Sequence, residues 1–133
     1  MSAPAATILL DSQGLALALQ GDRRIAVLLK QADLDGATVH VSALTIAEAA
    51  HGRTDLRRLD WILSGFLVEG VRPTDGKEAV RLMRERGGLA GHSHAIDALV
   101  AVLASRLPLP VLVVTSDPED WRRLAPQVRI IKV

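Results

Sequence analysis

Apolar and polar positions change rhythm several times along the chain. Residues 6–10, ATILL, form a short apolar run with a β-branched start, the pattern of a buried strand. From Ser12 to about Gln20 the pattern becomes helical, and Ser12 offers an N-cap. Gly21-Asp22 breaks it, and RRIAVLLKQA reads as a second short helix. ATVHVS, residues 37–42, alternates as a strand does. Ser42 caps the helix LTIAEAAHG, with Gly52 as its stop. Residues 54–65 continue helically, with Leu56, Leu59, Ile62 and Leu63 at core spacing, and FLVEGVRP, 66–73, is a weaker strand. A further helix starts at Thr74 or Asp75 and sets Val80, Leu82 and Met83 among Arg81, Arg84 and Arg86. Gly87-Gly88 and Gly91 form a loop before a strongly apolar helix, His94 to Ser105. PVLVVTSD is the clearest strand, followed by a short helix from Pro118 to about Leu124 and a closing strand, VRIIKV.

Strands thus alternate with helices, which predicts an α/β fold with a mostly parallel sheet. A length of 133 residues suggests one domain, and 49% hydrophobic residues can fill its core. Leu, Val, Ala and Ile must do so, since there are one Phe, two Trp and no Tyr. With 16 Lys+Arg against 15 Asp+Glu, any surface for a polyanion must be a local patch. The absence of Cys excludes disulfides and thiolate metal sites. MSAPAATILLD has no basic residue before its apolar run and makes a poor secretory signal. The most apolar long window, 95–114, is interrupted by Asp97, Arg106, Pro108 and Pro110, too often to span a bilayer. These features predict a cytoplasmic protein.

Four acids share one kind of setting. Asp11 follows the first strand, and Glu48 lies early in the helix after the second. Asp97 lies near the start of the apolar helix, and Asp117 follows the strongest strand. In open α/β sheets, sites form at the carboxyl ends of strands, so all four can face one cleft. Each acid alone is ordinary, because the dipole favours acids at helix starts and TSDPED is a common capping turn with Pro at N1. The joint pattern is what carries weight.

The ordered segments ILLDSQGLALAL, VSALTIAEAAHG, HAIDALVAVLA and VLVVTSDPEDW resemble the PIN domain of VapC-type toxins, over essentially the whole chain. The resemblance implies a three-layer α/β/α sandwich, a homodimer, and a Mg²⁺ or Mn²⁺ site that cleaves RNA. It also implies a cognate antitoxin that blocks this site. It gives Asp11, Glu48, Asp97 and Asp117 the catalytic and metal-holding roles. Ser12 and Thr115 match supporting positions, and Asp120 is an additional nearby acid. SQG after Asp11 departs from the usual continuation, and the segment between Glu48 and Asp97 supports no residue-level transfer.

The chemistry is coherent in itself. Clustered carboxylates raise one another's pKa, and a hard divalent cation removes that cost. Such a cation would also bridge the acids to a phosphodiester, and no nucleophilic side chain is then required. The chain has no GxSxG, and DSQ stands where a haloacid-dehalogenase-type phosphatase needs DxD. Two other readings share the fold: a catalytically silent binding module and a housekeeping RNA-processing nuclease. Arg81, Arg84, Arg86 and His94 are candidate RNA contacts, and Arg23, Arg24, Arg53, Arg57 and Arg58 raise the same question. His92 and His94, at i and i+2, do not share a helical face and form no metal pair. His51 is expected at a helix end. Trp61 and Trp121 are expected as core or interface anchors.

Overall fold

The computed structural model describes residues 5–86 and 91–133, with backbone only for residues 91–93. The apolar run forms β1, Thr7–Leu10, buried along its whole length. Helices α1, Ser12–Gln20, and α2, Arg23–Leu34, lead to β2, Thr38–Ser42. Next come α3, Ala43–Ala49, α4, Leu56–Leu63, and the short β3, Leu67–Glu69. Helices α5, Asp75–Glu85, and α6, Gly91–Arg106, precede β4, Val111–Thr115. Helix α7, Pro118–Leu124, and β5, Arg129–Lys132, close the chain.

The five strands run in the order β3-β2-β1-β4-β5, and every pairing is parallel. A parallel sheet is covered on both faces, which is why β1 and β4 read as continuous apolar runs. Successive side chains alternate between the layers. Leu9, Val111 and Val113 pack with Met83, Ala98, Val102 and Trp121 on one face. Ile8, Leu10 and Val114 pack with Ala18 and Ile25 on the other. The result is the expected three-layer α/β/α sandwich.

Strand order reverses between β1 and β4, and the connections leaving their carboxyl ends run to opposite faces of the sheet, which leaves a crevice. Helix α1 begins at that point and lies hard against β4. A Cβ on Gly14 would come 3.0 Å from the Val114 carbonyl oxygen and 3.3 Å from its Cγ1. Gly14→Ala is therefore expected to cost about 1–3 kcal/mol through overpacking. A chemical-denaturation midpoint equal to that of the parent would refute this close approach.

Several expectations are corrected. The N-cap of α1 is Asp11, not Ser12; its carboxylate accepts the Gly14 N–H at 3.0 Å. The acid is the residue still in extended backbone, so its side chain faces the unpaired amides, and Ser12 becomes the first helical residue. Helix α3 ends at Ala49 and its C-cap Ala50 returns to extended backbone, so Gly52 lies beyond the stop. The α4 segment is bounded by its Asp55 cap and is covered on one side only: Leu59 is buried and Ile62 packs against the core, whereas Leu56 and Trp61 are 69% and 73% exposed. Val80 likewise faces outward on α5. Periodicity names a stripe but not how far a partner covers it. Strand β3 is shorter than 66–73 because only residues 67–69 find a ladder on β2. Gly91 opens α6 instead of ending a loop, while Gly87-Gly88 lie outside the described residues. No helix among the described residues is long and apolar enough to cross a membrane.

Helix α6 is core: Ala98, Val100, Ala101, Val102, Leu103 and Ala104 are all buried. Its end is pinned to the start of α5. Arg106 Nη1 donates to Asp75 Oδ1 at 2.7 Å, and the Arg72 N–H donates to Asp75 Oδ2 at 2.8 Å. Burial pushes the Asp75 carboxyl up, but these two donors outweigh it and hold it below the ordinary value.

Candidate functional site

The crevice at the β1–β4 switch point is a cavity of about 160 Å³ lined by Asp11, Ser12, Glu48, Asp97, Thr115, Asp117 and Asp120. All four acids expected in the cleft reach it, as do the three expected supporting residues. They arrive from five elements, which only the fold brings together.

Asp11 is the most firmly held. Its carboxyl is pushed up by burial, against the stabilising pull of the Thr115 hydroxyl, the Gly14 N–H, the Trp121 side chain and the Gln13 amide. Thr115 is wholly buried and links the two strand ends: its Oγ1 accepts the Asp117 N–H at 2.9 Å and donates to the Asp11 carboxylate. Asp11 is thus fixed in place through its own helix cap and through β4.

Asp97 is the most perturbed acid. Burial first, and then the charges of Glu48, Asp120 and Asp11, push its carboxyl up to about 6. His94, one turn earlier on α6, opposes them with its charge. His94 therefore stands beside the acids rather than on a remote face. Asp120 bears on Asp97 directly, whereas Asp117 is an exposed lining residue at the start of α7 whose side chain makes no cap hydrogen bond. Glu48 is exposed on α3 and reaches the cleft from the side.

Trp121, Gln13 and Leu124 line the cleft and were not singled out from the sequence as part of it. Trp121 is 4% exposed; it anchors α7 in the core, as expected, and also lines the cleft beside Asp11. Thr45 lies one turn before Glu48 and is wholly buried, with no hydrogen-bond partner for its hydroxyl among the described residues. A buried hydroxyl without a partner is costly, but Thr45 does not line the cleft. Arg81 and Arg84 lie on α5 and Arg86 at its C-cap, and none of them lines the cleft; Arg81 pairs with Glu78 and Glu85. Trp61 stands apart too, exposed on α4.

The cleft offers carboxylate and hydroxyl oxygens, the donor set of a hard cation such as Mg²⁺ or Mn²⁺. Among the described residues, no three or more Asp, Glu or His side chains form a metal-holding cluster. Mg²⁺ does not demand one: it is commonly held by one or two carboxylates and keeps several waters. The mutual repulsion felt by Asp97 is the electrostatic condition that such an ion relieves, so the residues fit it.

A parallel sheet in this strand order, covered on both faces and with an acidic crevice at its switch point, defines a PIN-like α/β/α domain. The chain aligns with one in the crystal structure of VapBC2 from Rickettsia felis bound to a DNA fragment from their promoter. That match has a TM-score of 0.71 and 16% identity, and covers 96% of this chain and 98% of that one. A toxin–antitoxin complex from Klebsiella pneumoniae gives a TM-score of 0.69 and 22% identity, covering 95% and 99%. At these identities the likeness is one of fold. No protein-family profile and no curated protein matches the sequence.

Proposed function

We propose that this chain is a Mg²⁺- or Mn²⁺-dependent endoribonuclease, the toxin of a toxin–antitoxin pair. The observation that carries the reading is the convergence of Asp11, Glu48 and Asp120 on Asp97 at the sheet's switch point. The shared fold with chains of two toxin–antitoxin complexes supports it.

Bound there, the cation would polarise a phosphoryl oxygen and lower the pKa of an attacking water. Asp11, Glu48, Asp97 and Asp117 would hold it, with Asp120 as an additional acid nearby. The Thr115 hydroxyl and the Gly14 N–H keep the Asp11 carboxylate from turning away. Trp121 walls the cleft from the core side and limits water there. The same reading gives the protein a cognate antitoxin and a homodimeric state. The exposed apolar side chains Leu56, Trp61, Leu67 and Val68 offer surface for such partners to cover.

The test is cleavage of RNA by the purified protein with Mg²⁺ or Mn²⁺, beside the same reaction in EDTA. Cleavage that needs the metal supports the reading. No cleavage of total cellular RNA by folded protein under either metal sinks it and favours the silent binding module.

A thermal prediction accompanies it. Ligands that bind only the folded state stabilise it. Millimolar Mn²⁺ is expected to raise the melting temperature clearly at pH 7.5 and much less at pH 5, where Asp97 holds its proton. Equal shifts at both pH values would argue against a site built on Asp97.

A further inference from the structure

We infer that the concavity beside the acidic cleft is a nucleotide subsite, which holds single-stranded RNA next to the phosphate being cleaved; the inference rests on the nuclease reading above. The concavity measures about 260 Å³ and is lined by Ala16 and Gln20 of α1 and by Ala49, His51, Thr54 and Arg58. Its position follows from two helices it shares with the cleft. Gln13 and Glu48 line the cleft, whereas Ala16 and Ala49 line the neighbouring concavity. Gln13 and Ala16 are about one helical turn apart, roughly 5 Å. A strand whose phosphate sat at the acids would therefore pass its adjoining nucleotide into this space.

The chemistry of the wall suits that ligand. His51 Nδ1 accepts the Arg53 N–H at 3.1 Å, so a neutral ring carries its proton on Nε2 and can donate it. Thr54 Oγ1 accepts the His51 N–H at 2.9 Å, which leaves its hydroxyl proton to donate. Asp55, the acid on this wall, is occupied in capping α4 through the Arg57 and Arg58 amides. Arg58 Nε donates to the Leu19 carbonyl at 2.6 Å, which anchors the guanidinium at the pocket. Residues 51–58, HGRTDLRR, set Arg53, Arg57 and Arg58 against that one acid. Among the described residues none of these three forms an ion pair.

Arg81 on α5 makes the contrast. It is paired with Glu78 and Glu85, and the adjoining cavity is lined by both acids. An acidic cleft repels RNA, so binding needs unspent cations close by, and 51–58 supplies them. Arg and a His donor meet phosphate and an unstacked base edge together, as a single strand requires.

The experiment uses the full chain carrying Asp97→Asn, so that RNA is bound and not cut, and measures the affinity of a short labelled single-stranded RNA of mixed sequence by fluorescence anisotropy. Adding Arg53→Gln with Arg57→Gln is expected to weaken binding about tenfold. The slope of log affinity against log salt should fall by about 1.4, the release of two phosphate contacts on a single strand. Arg53→Lys with Arg57→Lys should restore most of the affinity, and Arg81→Gln should leave it within about twofold. In the otherwise wild-type chain, the paired Gln variant should raise KM and spare kcat. Thermal melting of each variant checks that the fold is kept. Metal-dependent cleavage by the parent with RNA affinity unchanged in the paired Gln variant overturns the subsite alone. RNA affinity unchanged but antitoxin-peptide affinity lost gives the concavity to the protein partner and also overturns it. A parent that neither cuts nor binds RNA removes the nuclease reading and the subsite with it.

Discussion

Asp97→Asn is expected to lose RNA cleavage by at least about 100-fold while folding normally. Loss of an outer partner of a metal site costs about 10–100-fold, so loss of a direct carboxylate should cost no less. The variant should also melt at a higher temperature than the parent in metal-free buffer at neutral pH. The reason lies in proton linkage. The Asp97 carboxyl titrates at about 6 in the folded protein against 3.8 ordinarily, because of burial and then Glu48, Asp120 and Asp11. Between those values the folded state binds the proton and the unfolded state does not, so stability falls as pH rises. The contribution of Asp97 is complete below the ordinary value and is lost as pH climbs through about 6. Asn carries no charge and removes this loss. Urea midpoints of both proteins from pH 4 to pH 7.5 in EDTA test the argument: the parent should show the extra decline and the variant should lack it. Undiminished cleavage by Asp97→Asn would end the shared-site reading.

Asp75→Ala is expected to cost about 3 kcal/mol, the lower end for removing one partner of a buried ion pair. Asp75 is 4% exposed, whereas the Arg106 side chain keeps 21% of its surface, so the orphaned guanidinium can still reach water. The variant also strips the Arg72 N–H of its acceptor. Asp75→Asn retains that acceptor and should cost clearly less. Because the Asp75 carboxyl sits below its ordinary value, its contribution is present above that value and fades in acid. Cleavage per folded molecule should not change, since Asp97 lies about 13 Å along α6 from Arg106 at the usual helical rise. A urea midpoint within a few tenths molar of the parent, with the same slope, would mean that the pair does not hold α5 to α6.

Much of this protein was legible before its fold was seen. The runs ATILL and VLVVT announced strands buried on both faces, and strand–helix alternation then made a parallel sheet the natural outcome. The placement of Asp11 after one strand and Asp117 after another followed from the same runs, and each was bound to fall at a carboxyl end. A strand end, a helix cap and a stripe are set by neighbours a few residues apart, and that information is local. Ser42 as the cap of α3 was read correctly on that basis, with its Oγ accepting the Leu44 N–H at 3.1 Å. The Asp11 cap was local too, but two adjacent candidates competed, and backbone geometry chose the acid.

What the tertiary structure alone decided concerns residues far apart in sequence. Strand order put β1 beside β4 and made the crevice. Three acids from β1's end, α3 and α7 then bear on Asp97, Asp120 among them. Trp121 could be read as a core anchor, but not as a neighbour of Asp11. The same holds for the buried His40, whose ring lies between Thr38 and Glu69 of a different strand. Exposure of Leu56, Trp61 and Val80 was hidden as well, because a sequence shows which side chains could be buried but not where the covering element stops. The sequence by itself determined the elements and the order of the acids. The packing of those elements determined which acids share one field, since charge interaction depends on distance through space and not along the chain.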